Sequence, residues 1–348
     1  MSENNKEKIA FVGVDDGFRE TKVWVSDDVK IVIPSQARAG EMTQISIDGG
    51  AKTVFPYETK DGAFIVGKIK ESDATSNDDY PISAMNRVLV THALISLGFT
   101  GANRLAIATG LPYKRYYRGK DKNLPLIKAK RKNLLLNDVK EVLYGTNGKS
   151  LSNLNIPRIV EHHVISEGIA AWMDYVLERD PETGNLTMNK DKSSVPTAFV
   201  DIGGRTTDIA VIEDCNIETD KSTTIEAGML NIENLVKEKI SDEYDVIPTT
   251  AQMNQVMKTK MFRAWGTDYD VSEFIELAIK QEMAKIHAEV SRRLGSAADL
   301  DSVNFVGGTT VAVEHELQGW FRNQNIVKDP GFANARGMAK FIETALKK

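Results

Sequence analysis

Cysteine is nearly missing: the 348-residue chain holds one, Cys215. A lone thiol excludes an intramolecular disulfide framework and a multi-cysteine metal site, and it fits a reducing compartment. Cys215 itself reads as a small residue at a strand turn. No run approaches the roughly eighteen apolar residues of a membrane-spanning helix, and residues 1–8 are polar and charged, without the apolar core of a secretion signal. Basic excess is missing too: 44 Lys and Arg stand against 49 Asp and Glu, for a net charge of −5. That balance argues against broad, sequence-independent binding to nucleic acid. Neither a Walker phosphate loop nor a G-x-G-x-x-G fingerprint occurs, so those two nucleotide folds are unsupported. The absences together lead to the expectation of a soluble cytoplasmic protein with no membrane contact.

What is present is a pair of short acidic-glycine turns. Val12-Gly13-Val14-Asp15-Asp16-Gly17 lies near the start, and Phe199-Val200-Asp201-Ile202-Gly203-Gly204-Arg205-Thr206-Thr207-Asp208 lies past the middle. Each follows an apolar run and puts a carboxylate where a strand ends, beside glycines that admit a tight turn and close approach of a phosphate. At this length two domains are expected, because a single core stops growing at about 250–300 residues. The pair of turns then reads as two loops closing on one nucleotide from opposite sides.

Apolar alternation predicts strands over 9–14, 21–25 and 29–33. Residues 34–79 read as a small strand-rich insertion with Gly49-Gly50 and Asp61-Gly62 as turn markers. Met85, Val88, Leu89, Ala93 and Leu97 recur at helical spacing behind the capping residue Ser83. A buried strand is expected over 105–108, ending at Thr109-Gly110-Leu111-Pro112. Residues 113–132 carry many Lys and Arg and few acids; a solvated helix is the plainer reading, a contact to a polymer partner or a phosphate the sharper one. Strands are predicted over 139–143 and 156–160, a helix over 164–177, and a linker over 178–195 with Pro181, Gly184 and Asn185. Further strands cover 197–200, 209–212 and 222–225. A helix opens at Gly228, a long one spans 271–294, a strand at 302–306 runs into Gly307-Gly308-Thr309-Thr310, and a last helix spans 332–346. The strand-then-helix order begins twice, a duplication of topology and not of sequence.

A nucleoside triphosphate needs backbone donors and hydroxyls at its phosphates, a carboxylate for magnesium-bound water, and a group that orients the attacking water. Asp15 and Asp16 offer the carboxylate, Gly17 the backbone approach, and Lys22 a cation on the next strand. Asp201 is a second carboxylate, with Gly203 and Gly204 as the turn, Thr206 and Thr207 as hydroxyls and Asp208 as a closing acid. Gly307, Gly308 and Thr309 form a third glycine turn between strand and helix, where backbone can lie against a base or ribose. Singly each is weak, since Asp-Gly is an ordinary hairpin signal. Lys22 is open to a reading as a solvated strand residue. His162 and His163 lack further ligands for a metal site, and a structural role is the simpler account.

These residues resemble the actin, sugar kinase and heat-shock chaperone superfamily. Residues 12–22 look like its first phosphate loop, 199–208 like its second, and 303–309 like its adenosine loop. Glu167-Gly168-Ile169-Ala170-Ala171 and Asn334-Ala335-Arg336-Gly337 look like its two connecting helices. Within it the chain is similar to the ParM-type (StbA-type) plasmid-segregation actins, through Asp15-Asp16-Gly17 with Lys22, Leu111-Pro112 running to Tyr116-Tyr117, and the second loop. Phe18, Arg19 and Arg205 depart from the small or hydroxyl residues usual at their positions.

The resemblance implies an α/β actin-like fold of two duplicated domains around a central nucleotide cleft, each with a smaller inserted subdomain. The first domain is expected over 8–178, with an insertion at 35–82 and completion by the helix 332–348. The second is expected over 196–331, with a small helical subdomain over 232–285. It implies an ATPase that polymerises with ATP (or GTP) and Mg²⁺ and disassembles after hydrolysis. Asp15 and Asp201 would hold Mg²⁺ through water, and Glu167 would orient the attacking water. Asp16, Gly17, Lys22, Gly203, Gly204, Thr206, Thr207 and Gly228 would surround the phosphates, and Gly307, Gly308 and Thr309 the adenosine. Glu167 at a helix start also reads as a partner of the helix dipole alone. The implied partners are further copies of the chain in a helical filament and a small DNA-binding adaptor of the ParR type, with DNA met only indirectly, in a bacterial cytoplasm and from a plasmid gene. The alternative is a small-molecule, sugar-type kinase of the same fold. A chaperone-like ATPase would need a substrate domain, for which the chain beyond 332–346 is expected to leave no room; a nucleotide-binding protein without turnover is disfavoured by Glu167 and the two loop aspartates.

Overall fold

The computed structural model describes residues 9–41, 53–145 and 148–347. The turn marker Gly49-Gly50, the polar start 1–8 and the final Lys348 lie outside them. Two large sheets carry the architecture. The first holds β1 (Ile9–Asp16), β2 (Glu20–Ser26), β3 (Val29–Pro34), β4 (Arg104–Leu111) and β5 (Arg158–Ser166), in the order β5-β4-β1-β2-β3. The second holds β6 (Thr197–Ile202), β7 (Thr207–Glu213), β8 (Asn216–Ile217), β9 (Thr223–Ile225), β10 (Ser302–Val306) and β11 (Gln324–Ile326), in the order β8-β7-β6-β10-β11 with β9 also on β7. In each, an antiparallel start gives way to parallel strands reached by crossover: β1 pairs antiparallel with β2 and parallel with β4, while β6 pairs antiparallel with β7 and parallel with β10. The duplicated topology expected from the strand-helix order is therefore present. The cause is legible in β6, whose six residues are all buried: a continuous apolar run suits a central strand covered on both faces.

Helices supply those covers. They are α1 (Ala84–Ser96), α2 (Leu124–Leu135), α3 (Glu167–Val176), α4 (Met229–Tyr244), α5 (Thr250–Thr259), α6 (Ser272–Leu294) and α7 (Ala333–Leu346). Ser83 caps α1 by accepting from Asn86 N, as its position predicts. α4 and α6 pack together, and Ile232, Val236 and Ile240 of the first meet Ile275, Met283, Ile286 and Val290 of the second within one core over β6 and β10.

α3 and α7 exchange sides. α3 leaves the first sheet yet packs on β6 and β7, with Ala171, Trp172 and Val176 against Phe199, Ala210 and Ile212. α7 leaves the second sheet and packs on β1 and β4, where Met338 and Ile342 meet Ala106 and Ala108. The two helices cross at Gly337, where a Cβ would stand 1.8 Å from the Ala170 carbonyl oxygen. Asp174 ties the crossing further, taking Arg336 at 2.6 Å and Lys340 at 2.8 Å.

Some boundaries differ from expectation. The helix expected over 164–177 begins at Glu167, because Val164, Ile165 and Ser166 continue β5 in register with Thr109, Gly110 and Leu111. β-Branched residues there pair more readily than they coil. The expected linker over 178–195 is structured: Leu177–Arg179 pairs with Leu186–Met188, and a helical turn Lys190–Ser194 follows, capped by Asn189. Asp180 Oδ1 builds the hairpin turn by accepting from the Glu182 and Thr183 amides. The small sheet is wider than the insertion 35–82, since strands Lys140–Gly145 and Gly148–Ser152 extend the sheet of Val54–Thr59, Gly62–Gly67 and Ala37–Ala39. Cys215 sits exposed in the tight β7–β8 turn with φ +61°.

Because Gly337 lets two backbones touch, Gly337→Ala is expected to force α3 and α7 apart. The overpacking cost is about 3 kcal/mol or more, read as a lower midpoint in denaturant unfolding; an unchanged midpoint would show that the crossing is loose.

Candidate functional site

Both acidic-glycine turns fall at the carboxyl ends of central strands and face each other across a cleft between the sheets. Successive residues of a strand point to opposite sides, so Asp15 and Asp16 part ways. Asp15 faces the cleft and meets Lys22 Nζ at 3.6 Å, the residue directly across the β1–β2 ladder. Asp16 turns inward and is buried: Lys130 Nζ of α2 reaches it at 2.8 Å, and Asn86 Nδ2 of α1 donates at 2.7 Å. Lys130 also donates to the Gly110 carbonyl at 2.6 Å, so one buried ammonium clamps the first turn to the end of β4.

In the second turn Asp201 and Asp208 lie directly opposite one another on β6 and β7. Gly203 N donates to the Thr206 carbonyl at 2.9 Å and closes the loop. Asn334 at the start of α7 donates to Asp201 at 2.6 Å, while its own Oδ1 is buried without a partner among the described residues. Asp208 accepts from the Tyr113 amide at 3.0 Å and from the Thr224 hydroxyl. Glu167, first residue of α3, hydrogen-bonds with Asp208 and lies against Gly110, where a Cβ would come within 3.0 Å of its Oε1.

Charge is out of balance here. Asp15 has Lys22 and Asp16 has Lys130, whereas Asp201, Asp208 and Glu167 have no cation within ion-pair distance among the described residues. Burial pushes the Asp201 carboxyl up to about 6, with Asp15 adding to the shift. Burial likewise pushes Asp208 up to about 7, with Asp201 adding to it. Glu167 rises well above the usual range through burial and then the negative charge of Asp208, Asp15 and Asp201. Burial works against the charge of Lys22, but Asp15, Glu20 and Asp201 outweigh it and its pKa is raised. A surplus of desolvated carboxylates is the donor chemistry a hard divalent cation suits. Among the described residues no group of three or more His, Cys, Asp or Glu is arranged to hold a metal directly, so a cation here would keep water between itself and most of these oxygens.

The cleft walls bring together Asp15, Asp16, Gly17, Lys22, Glu167, Asp201, Gly203, Gly204, Thr206, Gly308 and Thr309. Three expected residues are not among its walls. Thr207 is fully buried and donates to the Ala227 carbonyl at 2.9 Å, because it faces away from Thr206 and Asp208 along the strand. Gly228 caps α4, its amide donating to Glu282 at 3.2 Å, and packs against the Gly203 and Gly204 carbonyls. Gly307, at φ +98°, lets β10 close on the second turn, where a Cβ would meet Asp201 Oδ1 at 2.3 Å. Thr309 donates to the Gly203 carbonyl at 2.8 Å. Beyond Gly308 a second cavity opens between Met229, Met257, Ile275 and Ile279, edged by Glu276 and Lys280.

The residues that depart from the resemblance span the cleft. The Arg205 guanidinium sits 5.1 Å from the centre of the Phe18 ring and pairs with Asp78 at 3.0 Å and Glu226 at 2.9 Å. Arg19 pairs with Glu233 of α4 at 2.7 Å. His162 is buried beside the Thr109 hydroxyl at 3.0 Å, and burial lowers its pKa to about 3, so it is a neutral structural residue. Lys130 and Asn86 carry no signal in the sequence beyond the cation-rich stretch 113–132 that contains the first of them, and Asn334 reads there only as part of a connecting helix, without its contact to Asp201.

Two family models match the chain. Residues 13–150 match the N-terminal domain of actin-like proteins, and residues 199–319 match the C-terminal domain of the MreB-like archaeal actin homologue. One takes in most of the first sheet with its acidic turn, the other most of the second, so each half of the chain matches a domain of actin-like proteins and the fold is actin-like. Among solved structures, the archaeal actin homologue Ta0583 in complex with ADP is similar at TM-score 0.69 and 20% identity, over 96% of this chain and 99% of that one. A 15-stranded ParM filament from Clostridium botulinum gives TM-score 0.71 and 19% identity over 96% and 98%. Bacillus thuringiensis ParM with ATP gives 0.60 and 13% over 98% and 100%. At these identities the likeness is one of fold. No curated protein matches the sequence at a significant level.

Lys130→Met would leave Asp16 buried and unpaired, a loss of about 3–5 kcal/mol. Adding Asp16→Asn removes the stranded charge, and most of the lost stability is expected to return in denaturant unfolding. Additive losses in the double variant would show that the two groups do not interact.

Proposed function

We propose that this chain is a nucleotide-dependent, filament-forming ATPase that assembles with ATP and Mg²⁺, comes apart after hydrolysis and segregates plasmid DNA in a bacterial cytoplasm. The observation that carries the nucleotide half is the convergence of Asp15, Asp201 and Glu167 with two glycine turns in one cleft. The similar ParM filament and the ADP- and ATP-bound neighbours support the reading. The division into a first domain over 8–178, completed by the last helix, and a second over 196–331 belongs to the same proposal. So does an adaptor of the ParR type at the filament end. Among the described residues no helix is long and apolar enough to cross a membrane.

Within that reading Asp15 and Asp201 would hold a hydrated Mg²⁺, which would supply positive charge against the phosphate oxygens. The Gly17 and Gly204 amides and the Thr206 hydroxyl are the donors for those oxygens, Gly203 closes the loop beside them, and Lys22 adds a positive charge. Glu167 holds and orients the attacking water. The Gly308 backbone and the cavity beside Met229 and Ile279 take the nucleoside, with Glu276 and Lys280 at its polar edge.

Light scattering and phosphate release, followed together after addition of Mg²⁺–ATP, are expected to show assembly first and hydrolysis second. Transfer of phosphate to a sugar without scattering would overturn the proposal in favour of a kinase. Glu167→Ala is expected to bind nucleotide and assemble while hydrolysing about 100-fold more slowly, leaving persistent filaments; unchanged turnover would remove Glu167 from its role.

A further inference from the structure

Of the basic stretch 113–132, Lys130 and the Tyr113 amide serve the cleft. The stretch forms a helical turn, Tyr113–Tyr116, a tiny hairpin, Tyr117–Arg118 with Asp121–Lys122, and α2. Lys114, Arg118, Lys120, Lys122, Lys128 and Lys132 are exposed. None of these six has an acidic partner within ion-pair distance among the described residues, whereas Arg115 and Arg131 do, in Asp78 and Glu161. Leu124 stands among them at 52% exposure. A chain of net charge −5 thus carries one concentrated and unneutralised basic surface.

A complementary surface lies on the flank of the other sheet. At the end of α4, Glu238, Asp242, Glu243 and Asp245 are exposed and have no ion-pair partner among the described residues. Tyr244 stacks on Phe262 and Tyr269, with ring centres 5.7 and 4.8 Å away, and so fastens the hairpin Met261–Ala264 with Thr267–Asp270 against that helix end. The hairpin tip presents Trp265, 71% exposed and held at φ +48° by a two-residue turn with Gly266, and Ile247 nearby in sequence to Tyr244 is 77% exposed. A rigidly held tryptophan in water is costly for a surface that meets nothing, and tryptophan is the residue most enriched where binding energy concentrates.

We propose that the basic surface of residues 113–132 docks the acidic, Trp265-bearing end of α4 and its hairpin on a second copy of this chain. The proposal rests on the filament reading and names the contact that builds it. Charge complementarity selects the occupant: one contact between copies covers both surfaces, while a nucleic acid would use the cations and leave the unpaired acids and Trp265 in water. Because the two surfaces differ, the contact is head to tail. Each joined pair keeps one of each surface free, and such a contact propagates into an open chain unless it closes on itself. α2 also carries Lys130, so the docked helix is the one that holds Asp16 at the first turn.

Two charge-reversed variants test this: Lys120→Glu, Lys122→Glu, Lys128→Glu and Lys132→Glu together, which turn the basic surface net acidic, and Glu238→Lys, Asp242→Lys and Glu243→Lys together, which turn the acidic surface net basic. Each alone is expected to bind Mg²⁺–ADP as the parent does, yet to need at least about tenfold more protein for ATP-dependent scattering. An equimolar mixture is expected to assemble as the parent does, since opposite surfaces again face each other. Normal assembly of either variant alone, or failure of the mixture, overturns the proposal and leaves the filament reading standing. Loss of duplex DNA retention by the first variant with assembly intact would overturn it in favour of a nucleic-acid surface. A parent chain that never assembles with ATP would sink the filament reading, and the docking contact with it.

Discussion

Repulsion among buried carboxylates is the constraint on which the rest of the molecule turns. Asp15, Asp201, Asp208 and Glu167 converge around one cleft where, among the described residues, Lys22 is the one cation in ion-pair contact with any of them, and Lys130 is committed to Asp16. In water such groups would separate; in a desolvated cleft their mutual repulsion and lost hydration raise their affinity for protons. The fold holds them together by distributing them over elements that cannot move independently. Asp15 ends β1, Asp201 ends β6, and Glu167 starts α3. The cleft therefore carries electrostatic strain of a kind that a bound cation would relieve, and the geometry of the cleft follows from what is needed to bear it.

What bears it is the exchange of α3 and α7. Each helix leaves one sheet and packs on the other, and they cross through Gly337 against Ala170. Since Glu167 opens α3 and Asn334 lies at the start of α7, the crossing delivers one catalytic candidate and one ligand of Asp201 to the same place. Farther out, Arg205 over Phe18 and Arg19 with Glu233 join the loop tips across the opening. A nucleotide held by both turns would favour the closed arrangement only by as much as it binds that arrangement better.

The sequence made the turns and strands legible because their signals are local. Asp15-Asp16-Gly17 and Asp201-Ile202-Gly203-Gly204 announce strand ends, and Ser83 announces a cap. Thr207, expected at the phosphates, is buried and donates to the Ala227 carbonyl, and strict alternation from Asp208 accounts for its turning away from the cleft. The contacts of Lys130 to Asp16 and of Asn334 to Asp201 are illegible for a different reason: the partners lie 114 and 133 residues apart, and no local pattern links them, even though Asn334 itself stands in a connecting-helix motif. The start of α3 was placed early because Val164 and Ile165 suit a buried strand or a buried helix equally, and only pairing with β4 decides.

Proton linkage tests the central claim most directly. A carboxyl whose pKa is raised on folding favours the folded state below its unfolded pKa, and that contribution is lost as the pH climbs through the folded value, here from about 4 to about 6 for Asp201 and to about 7 for Asp208. A cation in the cleft favours the charged forms and must expel the protons held there. Calorimetric titration with preformed Mg²⁺–ADP at about pH 6.5, repeated in buffers of different ionisation heat, is predicted to show net proton release that fades as the pH is raised beyond about 8. Binding with no proton exchange at the lower pH, or with uptake, would contradict a cleft built on unneutralised carboxylates.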